Sequence, residues 1–162
     1  MSREYFKRRQ NLLKELLSQK GLDGMMVTNL THIRYLCGFT GSSATLVITE
    51  EQTNFITDGR YVVQSEKEVK GANIIIDSVS HSEVIKNQNL LTNGSKIAFD
   101  GKNVSHEGFQ QISSVLSNLK LESITGLIEK MAMSKDDKEL EAIKTAVEIT
   151  DKAFSEVLPM VK

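Results

Sequence analysis

The chain has 162 residues, a length that suits one domain with one sizeable core. Hydrophobic residues make up 40% of it and charged residues 25%, which is typical of a soluble globular protein and excludes a disordered or collagen-like chain. With 20 basic and 21 acidic side chains the net charge is −1, so we expect neither a basic nucleic-acid binder nor a protein drawn to an anionic membrane.

Helical and strand patterns alternate along the chain. The predicted order is helix 3–20, strand 24–28, a short helix ending near Leu36, strands 44–49 and 53–57, helix 60–69, strand 73–77, helix 82–91, strand 96–100, helix 105–116 and strand 119–124. Alternation of this kind predicts a mostly parallel β-sheet flanked by helices on both faces. The link at 50–52 is short enough only for an antiparallel hairpin, so the sheet is predicted to be mixed.

The last segment differs from the rest. From Lys135 the apolar spacing predicts one helix of about 25 residues, or ~37 Å. We therefore divide the chain into a domain at 1–132 and a linker helix at 133–162. The apolar stripe of this helix is wide, and we expect the domain to bury part of it. The remainder, around Phe154 and Leu158, is expected to meet a second copy or an absent domain.

The candidate nucleophiles and metal ligands are few. His32, His81 and His106 lie in or near helix starts without the spacing of a metal site, so we interpret them as exposed or capping residues. Cys37 is the single cysteine, and we interpret it as a small buried apolar residue. The sequence thus predicts no catalytic or metal-ligating residue in this chain. One free thiol and the lack of a secretory signal or an apolar span favour a cytoplasmic protein.

The segment Asp58-Gly59-Arg60-Tyr61 is the most suggestive local group. It follows a predicted strand and combines a carboxylate, a guanidinium and a phenol, and Arg60 could hold a carboxylate bidentately. The alternative is structural. Asp58 then caps the following helix, and Arg60 pairs either with Asp58 or with the Glu66/Glu68 side of that helix. The residues alone leave both interpretations open.

Two segments at this separation resemble a known signature. Residues 29–42 (NLTHIRYLCGFTGS) and 57–61 (TDGRY) are similar to the N-terminal domain of the creatinase/prolidase family of metallopeptidases. Residues 96–100 and 135–140 extend the similarity over essentially the whole chain. The chain departs from the family pattern at His32, at Cys37 and near Ala132.

The resemblance implies a creatinase N-terminal domain-like fold and a non-catalytic role. In the family this domain serves dimerisation and closes one side of the substrate cleft, which marks Tyr35, Phe39, Asp58 and Arg60 as candidate substrate-gating residues at one rim. The parent enzyme cleaves X-Pro peptide bonds at peptide N-termini. Its two divalent metal ions (Mn, Co or Zn) are bound in a C-terminal catalytic domain, where they activate water.

The resemblance also implies the partners. We expect a homodimer, the catalytic domain that would begin where this chain ends, and proline-containing peptides in the full-length enzyme. The chain alone is expected to hold no cofactor and to be inactive. The alternative is a stand-alone α/β module that binds a peptide or a carboxylate at Arg60 and has no peptidase activity.

Overall fold

The computed structural model describes residues 3–160. Within that range the strands are β1 (Gly24–Val27), β2 (Thr45–Thr49), β3 (Thr53–Thr57), β4 (Asn73–Ile76), β5 (Lys96–Asp100) and β6 (Lys120–Ile124). The helices are α1 (Arg3–Gln19), α2 (Leu30–Cys37), α3 (Val62–Glu68), α4 (His81–Asn87), α5 (His106–Val115), α6 (Leu127–Met133) and α7 (Asp137–Val157), with 3-10 turns at Gly59–Tyr61 and Leu158–Met160.

The strands form one sheet in the order β4-β3-β2-β1-β5-β6. Strand β2 is antiparallel to both β1 and β3, whereas the pairs β1/β5, β5/β6 and β3/β4 are parallel. The mixed, mostly parallel sheet flanked by helices is therefore confirmed. Because only β2 runs in the opposite direction, its amino end lies at the same edge as the carboxyl ends of the other strands.

The core lies on both faces of the sheet because the central strands are buried on both sides. On one face, Met26, Val47, Ile56 and Ile97 pack with the apolar residues of α4 and α5. Fully buried side chains from α1 and α2, Leu13, Ile33 and Leu36, belong to the core as well. Each such side chain stabilises the fold by about 1.5–3 kcal/mol relative to leaving it in water.

Local signals set several helix ends. The Asn29 side chain accepts hydrogen bonds from the backbone N–H groups of Thr31 and His32, which fixes the start of α2. Gly38 ends the same helix in the left-handed region, at φ 90°. Ser80 and Glu83 form a capping box at the start of α4.

Helix α4 ends earlier than its pattern predicts. The predicted helix reached residue 91, but the observed one ends at Asn87, and Asn89 adopts φ 49°. The turn sends Leu91 into the core, where it is 7% exposed. The free energy gained by burying Leu91 therefore outweighs the free energy gained by extending the helix. The local hydrophobic pattern does not show which of the two is larger. Helix α6 was not predicted either.

The chain divides into two compact units between Ile128 and Glu129. In the second unit, Asp136 and Glu139 form a capping box that starts α7, and the helix runs for 21 residues. No residue of α7 is buried. The expectation that the domain buries part of its stripe stays a prediction. Within residues 3–160, no helix combines the length and apolarity needed to cross a bilayer.

Candidate functional site at the carboxyl edge of the sheet

Two segments with the family-like signature meet at one edge of the sheet. The loop at 38–44 leads into the amino end of β2, and Asp58 follows the carboxyl end of β3. The antiparallel register pairs Thr45 with Ile56, which places both segments at this edge. Thr57 Oγ1 donates to the carbonyl of Ser43 at 2.7 Å and joins them directly.

Asp58 and Arg60 form a bidentate ion pair at the end of β3. Arg60 Nε donates to Asp58 Oδ1 at 2.8 Å and Arg60 Nη2 donates to Oδ2 at 2.9 Å. The side-chain hydrogen bonds from Arg60 hold the pKa of the Asp58 carboxyl well below its usual range, and desolvation opposes this in part. The same pairing raises the pKa of Arg60. Both groups therefore stay charged at neutral pH.

This geometry decides between the structural alternatives left open by the residues. Asp58 Oδ1 also accepts the backbone N–H of Arg60 at 3.1 Å, so Asp58 caps the 3-10 turn that follows β3. Arg60 pairs with Asp58 and not with the Glu66/Glu68 side of the helix. A ligand role remains compatible with this pairing, because the Arg60 side chain is 69% exposed and only two of its five donors are used on Asp58.

Phe39 lies beneath this edge and does not project from it. Its side chain is 1% exposed and packs edge-on against Phe55, with ring centroids 4.7 Å apart. It also packs edge-on against Tyr61 at 5.4 Å. The expectation that the aromatic residue of this loop faces a cleft is corrected here: the small residues around Phe39 let the loop fold its ring into the core.

Tyr61 connects that buried ring to the surface. Its hydroxyl lies 2.6 Å from Ser42 Oγ and accepts the backbone N–H of Ser42 at 3.3 Å. These hydrogen bonds from Ser42 lower the pKa of Tyr61. Its ring also lies 5.3 Å from the Arg60 guanidinium carbon. Tyr61 belongs to the segment 58–61 but is not one of the predicted gating residues. Only the tertiary structure shows that it links the loop at 38–44 to the end of β3.

Tyr35 belongs to a different cluster. The guanidinium of Arg9 stacks over the Tyr35 ring at 3.8 Å and over the Tyr5 ring at 4.2 Å. Arg9 Nη1 also donates to the Tyr35 carbonyl at 2.8 Å, and Arg9 is only 8% exposed. These contacts join α1 to α2. Of the four candidates, Asp58 and Arg60 are in direct contact with each other. Phe39 contacts this pair only indirectly, through the ring of Tyr61, and Tyr35 packs against α1.

A polar cluster on α3 was not predicted from the sequence. Glu68 accepts the backbone N–H of Thr40 at 2.8 Å and its hydroxyl at 2.9 Å. Gln64, one turn earlier, donates to both Glu68 oxygens at 3.1 Å. Burial alone would raise the pKa of Glu68, but the hydrogen bonds from Thr40 and Gln64 lower it overall. The i, i+4 spacing of Gln64 and Glu68 was the available signal.

The histidines are less uniform than predicted. His106 is exposed, as expected, but His32 is 8% exposed with Nδ1 3.5 Å from Asp100 Oδ2, which corrects the interpretation of that residue. His81 is half-buried and its Nδ1 lies 2.8 Å from Thr45 Oγ1. Burial lowers the pKa of His81, and the charge of Asp58 partly offsets this.

The His32–Asp100 pair does not fit a two-metal centre. The Asp100 carboxylate already accepts the backbone N–H of Lys102 at 3.1 Å and the side-chain amide of Asn103. A centre with two ions requires several carboxylates with free oxygens around one site. We therefore derive no metal chemistry from this pair.

Cys37 is fully buried, which confirms its structural interpretation. Burial raises the pKa of its thiol to about 12, so no appreciable thiolate exists at neutral pH.

Comparison with known proteins gives a consistent result. Residues 8–133 match the family model of the creatinase/prolidase N-terminal domain. The uncharacterized peptidase YqhT of Bacillus subtilis is 31% identical over 150 residues, which cover 93% of this chain and 42% of that protein. A solved Xaa-Pro dipeptidase of Bacillus anthracis is 26% identical with a TM-score of 0.90, covering 97% of this chain and 44% of that one.

A third relative is itself a single domain. The solved N-terminal domain of the cytoplasmic peptidase PepQ of Mycobacterium tuberculosis is 25% identical with a TM-score of 0.67, covering 76% of this chain and 97% of that one. The present chain thus spans less than half of the longer relatives and nearly all of an isolated N-terminal domain. It belongs to the creatinase/prolidase N-terminal domain family.

Proposed function

We propose that this chain is the non-catalytic N-terminal domain of a metal-dependent Xaa-Pro peptidase, an enzyme that cleaves X-Pro bonds at peptide N-termini. The observation that carries the proposal is the family match over residues 8–133, combined with coverage of only 42–44% of relatives that are peptidases by name. In this role the domain contributes to a homodimer and gates the substrate cleft. The two divalent ions belong to the catalytic domain.

The gating role rests on the Asp58–Arg60 pair. Arg60 presents a guanidinium that is 69% exposed, on a turn held by Asp58 and supported from below by Tyr61 and Phe39. An anchored guanidinium recognises a carboxylate or a peptide carbonyl with little loss of side-chain entropy. Arg60 and Asp58 are therefore proposed to touch the substrate side of the cleft, while Phe39 fixes the turn from the core.

The C-terminal helix supplies the proposed contact with the catalytic domain. Exposed apolar residues recur along it, including Leu140, Ile143, Val147 and Phe154, with exposed fractions of 44–64%. An apolar stripe of this length marks an interaction surface.

We also propose a cytoplasmic location for the protein, because its single free cysteine suits a reducing compartment.

The test is steady-state kinetics of the full-length enzyme on a proline-containing peptide. We expect Arg60→Ala to lower kcat/KM about tenfold, which corresponds to ~1.4 kcal/mol, and Arg60→Lys to recover part of the loss. Lys67→Ala removes an exposed positive charge from the following helix and is the matched control. Equal kcat/KM for wild type and Arg60→Ala would contradict the gating role of this residue.

A stand-alone carboxylate-binding module is the second candidate, favoured by the exposure of Arg60. It predicts that the 162-residue chain itself binds a free X-Pro dipeptide and that Arg60→Ala abolishes binding. Titration calorimetry with the dipeptide checks this. Saturable binding by the chain alone favours the module, whereas binding only by the full-length enzyme favours the gating domain.

A further inference from the structure

A small cavity lies at the carboxyl edge of the sheet, on the face that α4 and α5 cover. Its volume is about 160 Å³. Thr28, just beyond β1, lies opposite Thr45 at the start of β2, because the two strands are antiparallel neighbours in that register. The side chain of Met26 faces the same side of the sheet as that of Thr28, two positions later. Ile85 of α4 and Ile112 of α5 complete the apolar wall of the cavity.

The cavity also carries hydrogen-bonding groups. His81 and Ser82, in the first turn of α4, line it together with the two threonines. His81 Nδ1 lies 2.8 Å from Thr45 Oγ1, and Ser82 Oγ lies 3.3 Å from Ser80 Oγ. In the part of the chain that the structure describes, neither His81 Nε2 nor the Thr28 hydroxyl has a hydrogen-bond partner. Both groups are therefore available to a ligand.

The lining favours an uncharged molecule with an apolar body and a polar group. Among residues 3–160, no side chain of Asp, Glu, Lys or Arg lines the cavity. Burial lowers the pKa of His81, so its imidazole is neutral at pH 7. An ion in the cavity would lose its hydration without gaining a counter-charge. A wholly apolar molecule would leave the imidazole and the hydroxyls without the hydrogen bonds that they make with water.

Size and hydrogen bonding narrow the class further. A cavity of about 150 Å³ holds one benzene molecule, so this cavity accommodates a single ring. Because Nδ1 of His81 is engaged with Thr45, Nε2 is a donor or an acceptor according to the tautomer. A hydroxyl group both donates and accepts, and so it satisfies either tautomer. A phenol combines the ring with the hydroxyl and is uncharged at neutral pH, because its pKa is about 10.

We propose that this cavity binds a phenol ring, with the phenolic hydroxyl bonded to His81 Nε2 and to the Thr28 hydroxyl and the ring packed on the apolar wall. The inference goes beyond the proposed function and does not depend on it, since Arg60 does not line the cavity. The ring belongs either to a free phenol or to a tyrosine side chain, because the partly exposed His81 and Ser82 leave the cavity open to solvent.

The first test titrates the full 162-residue chain with ligands of one ring and follows its amide NMR spectrum. Phenol should bind saturably in the millimolar range, with the largest shifts at Thr28, Ile85 and Ile112. Toluene leaves water more readily but has no hydroxyl, and we expect it to bind at least about threefold more weakly than phenol. Benzoate is charged and should cause no saturable shift at these residues.

A fourth ligand distinguishes the two sources of the ring. N-acetyltyrosinamide presents the phenol on a peptide-like backbone. Saturable shifts at the same three residues would assign the cavity to tyrosine side chains as well as free phenols. Binding of phenol alone would assign it to free phenols.

The second test changes the histidine. His81→Phe keeps a flat ring but removes both nitrogens, so it should weaken phenol binding about tenfold and leave toluene binding unchanged. His106→Phe makes the same change at the first residue of α5, where the histidine is exposed. It is the matched control and should leave the affinity for phenol unchanged. The amide spectrum of each variant shows whether it is folded.

Three results would each overturn the proposal: no saturable shift with phenol, toluene binding at least as tight as phenol binding, or equal effects of the two variants. If His81→Phe does not fold, the comparison of phenol with toluene on the wild-type chain decides by itself. None of these results bears on the Arg60 kinetics, so failure of this site is distinguishable from failure of the gating role.

Discussion

The ring of Phe39 packs edge-on against the ring of Tyr61, with centroids 5.4 Å apart. Phe39 is 1% exposed, whereas Tyr61 reaches the surface and meets Ser42 through its hydroxyl. The pair therefore couples the buried core to the turn that carries Asp58 and Arg60. The turn is thus supported in part by Phe39, which is too deeply buried to contact a ligand itself.

Gly41 and Gly59 differ in what a side chain would meet. A Cβ at Gly41 would lie 2.3 Å from Phe39 Cζ and 2.7 Å from Tyr61 Cε1, whereas at Gly59 nothing lies within 4 Å. We expect Gly41→Ala to lower the free energy of unfolding by about 1–3 kcal/mol through overpacking. Gly59→Ala, the control, should change it by less than about 0.5 kcal/mol. Urea unfolding measures both, and equal effects would contradict the close packing around Gly41.

Phe39→Ala should be among the most damaging substitutions in the loop. It removes a buried ring that contacts Phe55 and Tyr61, so we expect a loss of about 3–5 kcal/mol in unfolding free energy. Phe109→Ala removes a partly buried ring stacked on Phe99 and should cost less. Thermal and urea unfolding check the order, and a reversed order would place Phe39 outside the core.

His81 should make stability depend on pH. Its folded pKa lies below the ordinary 6.5 because of burial, so the unfolded chain binds a proton more readily. The contribution of His81 to the free energy of unfolding is fully present above pH 6.5 and is lost as the pH falls from 6.5 toward the folded pKa. His81→Gln should flatten the unfolding free energy across this interval. A slope between pH 7 and 5 that is identical in both proteins would show that His81 is not its source.

The thiol of Cys37 should be unreactive in the native protein. It is fully buried with a pKa raised to about 12, so a thiol reagent at pH 8 should label it only after denaturation. Labelling with and without urea, followed by mass spectrometry, checks this. Stoichiometric labelling of the native chain within minutes would contradict the burial.

The end of α7 should contribute little to the stability of the isolated chain. Ile149, Phe154, Val157 and Leu158 are each more than half exposed, at 54–65%. A version ending at Glu148 should therefore keep the midpoint of thermal unfolding within about 2 °C, since surface changes without buried contacts cost little. Calorimetry of both lengths measures it. A drop of several degrees would mean that these residues are buried in solution.

The sequence by itself determined the mixed sheet, the helix caps and the order of the strands and of every helix except α6, because these follow from local hydrophobic period, turn length and side-chain oxygens at helix starts. Asn29, Ser80 and Asp136 act through neighbours within three residues, so their role is readable along the chain. The family followed from two such segments at a fixed separation.

The tertiary structure alone decided which side chains of those segments face inward. Phe39 is buried because Phe55 and Tyr61, 16 and 22 positions later in the sequence, close over it, and no local pattern contains that contact. His32 is buried beside Asp100, and Glu68 is drawn to Thr40, for the same reason. Periodicity predicts elements from near neighbours, whereas the burial and pairing of a loop residue depend on strands and helices that the fold brings to it from elsewhere in the chain.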